Sequence, residues 1–116
     1  MTARTVVLLI IALVLAGTAV LNVGSSRTSL LRAREEGLRN DLRVMRQVVD
    51  QYRGDKGIAP RSLETLVQEG YLRRVPADPF TGSAQSWQVS AVQPSVLEIH
   101  SGARGIGSDG TRYSSW

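Results

Sequence analysis

The sequence contains no cysteine and a single lysine. The absence of cysteine excludes disulfide bonds, thiolate metal sites, cysteine nucleophiles and lipoprotein-type acylation. The other 13 basic residues are arginines, spread from Arg4 to Arg112 among ten acidic residues. Because these arginines form no block and are not interleaved with aromatic residues, the net charge of +4 does not predict a nucleic-acid partner.

Charge is absent between residues 5 and 23, and proline is absent before Pro60. At about 1.5 Å per residue, an apolar helix of this length just crosses a hydrocarbon core of about 30 Å. We therefore predict a single membrane span within residues 1–26, which comprise the membrane helix and its exit. A cleavable secretory signal is the alternative interpretation, because Met1 to Arg4 is a short basic start and Gly17-Thr18-Ala19 is a small-residue cleavage site.

The arginines that flank this span bear on its orientation. Arg4 precedes it, whereas Arg27, Arg32 and Arg34 follow it closely. By the positive-inside rule this count alone places the C-terminal part of the chain in the cytoplasm.

An amphipathic helix is predicted over residues 27–53. Apolar residues recur at helical spacing along one face: Leu31, Leu38, Leu42, Met45, Val49 and Tyr52. Glu35 and Glu36 are predicted on a solvated face, with Glu35 placed to pair with Arg39. Gly54 and Gly57 are predicted to end the helix. The remaining 60 or so residues are near the size at which a lone core is marginal, so residues 27–116 are predicted to fold as one head.

Turn residues separate the elements of this head. Ser62 is the predicted N-cap of a short helix that Gly70 ends. A rigid connector follows, formed by Gly70, Pro76, Asp78, Pro79 and Gly82, in which each proline restricts the residue before it to extended geometry and Asp78 is expected to cap the turn.

Two strands and a loop complete the predicted head. Trp87, Val89 and Ala91 alternate along the first strand, and Leu97 and Ile99 along the second. Residues 101–116, the C-terminal loop, have no regular period but end in Tyr113 and Trp116, which usually find a surface to bury.

No catalytic constellation is present in the sequence. His100 alternates with the outward Glu98 and is predicted to be a surface strand residue. Ser101-Gly102-Ala103 lacks the frame of a nucleophile elbow. We do not expect an enzyme.

An ordered series of short motifs resembles a known family. The motifs are Asp50-Gln51-Tyr52, Asp55-Lys56-Gly57, Gly70-Tyr71-Leu72-Arg73-Arg74, Pro76, Asp78-Pro79-Phe80, Gly82, Ser101-Gly102-Ala103 and Asp109-Gly110-Thr111 with Tyr113 and Trp116. In this order and spacing they resemble the major pseudopilin of type II secretion systems and its type IV pilin-like relatives.

This resemblance implies an α+β, pilin-like fold: a long N-terminal helix, membrane half plus amphipathic half, packed on a small antiparallel sheet with a structured C-terminal loop. It also implies a structural subunit of a filament that supports protein export. The implied partners are further copies of the chain, minor pseudopilins and an inner-membrane assembly platform. The implied location is the inner membrane, with one span and the head in the periplasm.

The resemblance further implies roles for the N-terminal residues. Thr5, Leu9, Ala12, Ala16 and Gly17 lie in the segment by which such subunits assemble. Relatives typically have phenylalanine where Met1 stands and glutamate where Thr5 stands, and a leader glycine before the cleavage point. Because the sequence departs from this pattern, the resemblance does not decide whether the chain is processed in the usual way or what replaces the glutamate in assembly.

A calcium ion in the C-terminal loop is the other implied feature. Ca²⁺ takes six to eight oxygen ligands. Asp109 is the carboxylate that would bind it, with the hydroxyl groups of Ser101 and Ser108, but Arg104 stands where relatives often have an acid.

Two alternatives to a major filament subunit remain open. One is a minor, non-propagating pseudopilin. The other is a monomeric, membrane-anchored binding or adaptor module, which stays open because Thr5 lacks the charge that filament subunits have at this position.

Overall fold

The structure is a computed structural model that describes residues 2–94 and 96–116, with the side chains of residues 18–25 left out of the description. Its elements are helices α1 (Ala3–Lys56) and α2 (Leu63–Gln68), strands β1 (Gln88–Gln93) and β2 (Val96–His100), and a 3₁₀ turn at Tyr113–Ser115. The chain divides into two compact units, residues 1–33 and 34–116. This division lies seven residues beyond the predicted boundary at 26/27.

The first unit is helical. The carbonyl oxygen of Thr2 accepts the N–H groups of Thr5 and Val6 at 3.0 and 3.2 Å, which satisfies donors that the first turn of any helix leaves unpaired. The large apolar side chains from Val6 to Leu15 are between 41 and 77% exposed. Within the described part of the chain, no helix combines the length and the apolar character needed to cross a membrane.

Five of the six residues of the predicted apolar stripe form the core of the second unit, whereas the first, Leu31, lies in the first unit and is 39% exposed. Leu38, Leu42, Met45, Val49 and Tyr52 are all at most 7% exposed and pack in one cluster with residues of α2, β2 and the C-terminal loop. Gly54 does not end the helix as predicted but lies within α1, which ends at Lys56, three residues beyond the predicted end. Gly57 then adopts a φ of 76° and donates its N–H to the carbonyl of Arg53 at 2.8 Å, as is typical of a glycine at a helix C-terminus.

The short helix α2 begins as the sequence predicts. Ser62 is its N-cap, and the Ser62 hydroxyl accepts the N–H of Thr65 at 3.2 Å. Leu63 and Leu66 are buried against the core.

The sheet contains β1 and β2 in antiparallel register, with Gln88 opposite His100 and Ala91 opposite Leu97. The prediction for β2 is confirmed, because Leu97 and Ile99 are buried. The alternation predicted for β1 is wrong, because every residue of that strand is exposed.

The side chains of β1 are exposed because this strand lies away from the core. Of the two strands, only β2 contributes to the core cluster, whereas all six residues of β1 are exposed. Trp87, just before β1, is buried and donates its indole N–H to the carbonyl of Pro76 at 2.8 Å.

Candidate functional sites

The residues for which the resemblance implies a role in assembly lie in the first unit. Thr5, Leu9, Ala12 and Ala16 are spaced by four, three and four residues, so α1 places them on one face. All four are exposed, and a Cβ atom built on Gly17 meets no atom within 4 Å. This face contains small and apolar side chains and no charge, which suits it to contact with another apolar helix or with lipid.

Thr5 contributes no charge to this face. Its hydroxyl donates to the Thr2 carbonyl at 2.7 Å and lies 3.1 Å from the Thr2 hydroxyl. The polar group of Thr5 is thus satisfied within the first turn of α1.

The connector turns at glycines. Gly70 and Gly82 have φ angles of 82° and 71°, a backbone conformation that residues with a Cβ atom rarely adopt. A Cβ atom built on Gly37 of α1 would lie 3.5 Å from Pro79 Cγ, so this part of the connector lies against the helix.

Tyr71 ties the start of the connector to the end of α1. Its hydroxyl donates to Asp55 Oδ2 at 2.7 Å, and its ring meets the Tyr52 ring edge-to-face with centroids 5.2 Å apart. The hydrogen bond to the Asp55 carboxylate raises the pKa of Tyr71 to about 12.

Asp78 organises the middle of the connector and is fully buried. Its Oδ1 accepts the N–H of Phe80 at 2.8 Å, and its Oδ2 accepts the hydroxyl of Ser101 at 2.5 Å. Asp78 therefore caps the turn and also joins the connector to the residue that follows β2. The contact with Ser101 could not be predicted from the residues around Asp78 in the sequence.

The structure corrects the predicted position of Glu35. It does not lie on a solvated face but is 3% exposed. Its Oε1 accepts the N–H of Ser108 at 2.8 Å and the hydroxyl of Tyr113 at 2.9 Å, while its Oε2 accepts the hydroxyl of Ser108 at 2.5 Å. These bonds, the Ser108 hydroxyl first, lower the pKa of Glu35 although burial acts in the opposite direction.

A sequence signal for the burial of Glu35 did exist. The apolar stripe has a gap of seven between Leu31 and Leu38, whereas its other steps are four or three. Glu35 fills this gap as four plus three, and so falls on the buried face of the helix.

Arg39 of α1 contacts the C-terminal loop through an ion pair and an aromatic ring. Its guanidinium lies 3.2 Å from Asp109 Oδ2 and 4.1 Å from the centre of the Trp116 ring. Oδ1 of Asp109 accepts the N–H and the hydroxyl of Thr111 at 2.9 and 2.6 Å. The Thr111 hydroxyl, the Thr111 N–H and the charge of Arg39 lower the pKa of Asp109. The predicted partner of Arg39 was Glu35, and the structure pairs it with Asp109 instead.

The donor set around Asp109 does not fit a calcium ion. Both oxygens of Asp109 already accept hydrogen bonds, and the one at Oδ2 comes from a cation. The hydroxyl groups of the predicted ligands Ser101 and Ser108 are oriented towards Asp78 and Glu35, to which they donate, rather than towards Asp109. No cluster of three or more acidic, histidine or cysteine side chains occurs among the described residues.

The end of the chain is held by two further residues of the head. Arg46 donates to the carbonyls of Ile99 and Trp116 at 2.7 and 2.8 Å. Nδ1 of His100 lies 2.8 Å from the Trp116 carbonyl oxygen. His100 is thus a half-buried contact of the C-terminal loop rather than only a surface residue, and neither contact was predicted from the sequence.

Comparisons with protein-family models, with curated proteins and with solved structures found no match to this chain.

Proposed function

We propose that this chain is a pilin-like structural subunit that assembles into a pseudopilus of a type II secretion or type IV pilus-like machine. The observation that supports this proposal most directly is the continuous exposure of the apolar side chains from Val6 to Leu15 on α1. A contiguous apolar surface of this kind marks a region that contacts other proteins or a membrane.

The free energy involved is large. Fully burying a valine, leucine or isoleucine side chain is worth about 1.5–3 kcal/mol, so covering the exposed parts of this set is worth on the order of 10 kcal/mol. Either lipid or neighbouring apolar helices can supply that cover. We propose that the segment is stored as a single span in the inner membrane and then exchanges lipid for the same segment of other copies.

The residues of the exposed face suit such an exchange. Small residues allow helix backbones to approach closely in an apolar environment, and Ala12 and Ala16 lie on one face with Thr5 and Leu9. An assembly platform and minor pseudopilins are the proposed partners of the subunit, because an isolated apolar helix does not leave lipid unaided.

Disulfide crosslinking tests the proposal on a background that has no cysteine. Leu9→Cys and Ala16→Cys are introduced together, since these positions are seven residues apart on one helical face, about 10 Å along the axis. Contacts between the subunits of a filament are head-to-tail, so position 9 of one copy faces one neighbour and position 16 faces another. Oxidised native membranes from cells that carry the secretion machine are expected to give a ladder of multimers.

Two controls separate assembly from random encounter. Each single-cysteine variant can form no product larger than a dimer. Deleting the ATPase that drives the machine should abolish the ladder while leaving the amount of subunit in the membrane unchanged. A double-cysteine variant that stops at dimers in the complete machine would refute the filament proposal.

The neutral Thr5 favours a second candidate function, a monomeric membrane-anchored binding or adaptor module. The same experiment decides between the two, because such a module gives monomers and at most dimers. A minor, non-propagating pseudopilin would give short products that require the major subunit.

The proposed orientation has the head in the periplasm, against the arginine count beside the span. Ser90→Cys lies on the exposed strand β1. A membrane-impermeant maleimide should label it in spheroplasts without lysis. Labelling only after lysis would place the head in the cytoplasm and contradict the proposed location.

A further inference from the structure

The C-terminal loop is fixed to α1 by two carboxylates whose oxygens are fully engaged. Glu35 accepts three hydrogen bonds from Ser108 and Tyr113. Asp109 accepts two from Thr111 and one from Arg39. The loop itself contains Arg104 and Arg112, but the guanidinium that contacts Asp109 belongs to Arg39 of α1.

Arg39 is placed to serve both carboxylates. Its guanidinium contacts Asp109 directly and lowers the pKa values of Asp109 and Glu35 through its charge. It also covers the face of the Trp116 ring. One side chain thus joins the acidic part of the loop, the aromatic end of the loop and the helix.

A divalent ion has no place in this arrangement. It would have to displace the guanidinium from Asp109 Oδ2, or else bind within a few ångströms of a positive charge. It would also compete with N–H and O–H donors for every other carboxylate oxygen at the site.

We propose that Arg39 is the built-in counter-cation of Asp109 and Glu35, the two carboxylates that fix the C-terminal loop to α1, so that the loop folds without calcium. The proposal concerns the head alone and does not depend on filament assembly.

The first test is the effect of calcium on the full-length protein in detergent micelles, with unfolding followed by tryptophan fluorescence. Extracellular calcium sites typically have dissociation constants of about 0.1–1 mM, so about 5 mM Ca²⁺ would raise the unfolding midpoint by at least about 4 °C if such a site existed. We expect equal midpoints in Ca²⁺ and in EGTA. A rise of that size in Ca²⁺ would overturn the proposal.

The second test examines the loop itself by amide hydrogen exchange. The N–H groups of Ser108 and Thr111 report on it, because they donate to Glu35 and Asp109. Arg39→Gln should accelerate their exchange about tenfold, the combined effect of a surface ion pair and a cation–π contact. Calcium should not slow exchange in the wild-type protein.

Arg43→Gln is the matched control. Arg43 lies one turn further along α1, is exposed, and donates to Asn40 at 2.5 Å rather than to the loop. This variant removes the same charge but should leave the exchange of Ser108 and Thr111 unchanged. Equal exchange in the two variants would show that Arg39 has no special role and would overturn the proposal.

Discussion

Removing the Glu35 carboxylate tests whether one buried acid holds the C-terminal loop on the helix. In Glu35→Ala, the Tyr113 hydroxyl loses its partner in a buried position, at a cost of about 1–3 kcal/mol. The two donors of Ser108 lose a charged acceptor but lie where water can reach them, which adds about 1–2 kcal/mol. Relief of the desolvated charge offsets part of this loss, so we expect a net destabilisation of about 2–4 kcal/mol.

Glu35→Gln removes the charge of this side chain but keeps its shape. The amide oxygen can still accept from Tyr113 and from the Ser108 N–H, and the amide N–H₂ can donate to the Ser108 hydroxyl. We expect this variant to lose about 1–2 kcal/mol, mainly because hydrogen bonds to a charged acceptor are the stronger ones.

The pH dependence gives the sign of the charge effect. The folded-state pKa of Glu35 lies below its usual value of 4.5, so ionised Glu35 stabilises the folded state. This contribution is fully present above the unfolded-state pKa and is lost as the pH falls through the folded-state pKa. The stability difference between wild type and Glu35→Gln should therefore be constant near neutral pH and shrink below about pH 4.5.

Urea unfolding of the full-length protein in detergent, followed by tryptophan fluorescence, measures these differences. Glu36 is the matched control, since it is the exposed neighbour on the same helix. Glu36→Ala should change the free energy of unfolding by no more than about 0.5 kcal/mol. Equal effects of Glu35→Ala and Glu36→Ala, or a difference for Glu35→Gln that does not change with pH, would refute the assignment of Glu35 as a loop anchor.

Two further predictions concern the packing and the charge of the head. Gly102→Ala should destabilise the head by about 1–3 kcal/mol in thermal unfolding, because the new Cβ atom would lie 1.9 Å from the carbonyl oxygen of Ser86. Gly37→Ala is the control. Its Cβ atom makes only ordinary contact, so this variant should be neutral or stabilising. Asp41→Asn should stabilise the head at pH 7, because burial and the neighbouring Asp78 raise the pKa of Asp41, so that its ionised form opposes folding. That stabilisation should vanish as the pH falls below the unfolded-state pKa of about 3.9, and a variant no more stable than wild type at pH 7 would contradict it.

Local periodicity was enough to predict the helical part of the fold. The stripe from Leu38 to Tyr52 and the N-cap Ser62 each depend on residues within a few positions of one another, and both lie where the sequence places them. The helix continues three residues beyond its predicted end and stops just before Gly57. Strand β1 shows the limit of this reasoning. Alternation in the sequence indicates a strand with two different faces, but burial of one face also requires another element to cover it.

The contacts that define the candidate sites of the head were not predictable in the same way. Glu35 bonds to Tyr113, 78 positions away, and Arg39 bonds to Asp109, 70 positions away. Such pairs depend on how the C-terminal loop returns to α1, and no local pattern fixes that path. The burial of Glu35 was nevertheless visible in the stripe, because its position completes the spacing between Leu31 and Leu38.

The three best-anchored carboxylates of the head show why residue type alone misassigns such sites. Asp109, with glycine and serine around it, resembles a calcium ligand in sequence, yet Thr111 and Arg39 already use its oxygens. Glu35 resembles a surface acid, yet it is buried beneath the loop. Asp78 alone has the role its local motif indicates, and it too gains a distant partner, at the end of β2. In each case N–H and O–H groups donate to the carboxylate, and Arg39 adds its positive charge beside Asp109 and Glu35. A loop held in this way depends on pH and on Arg39, and calcium should leave its stability unchanged.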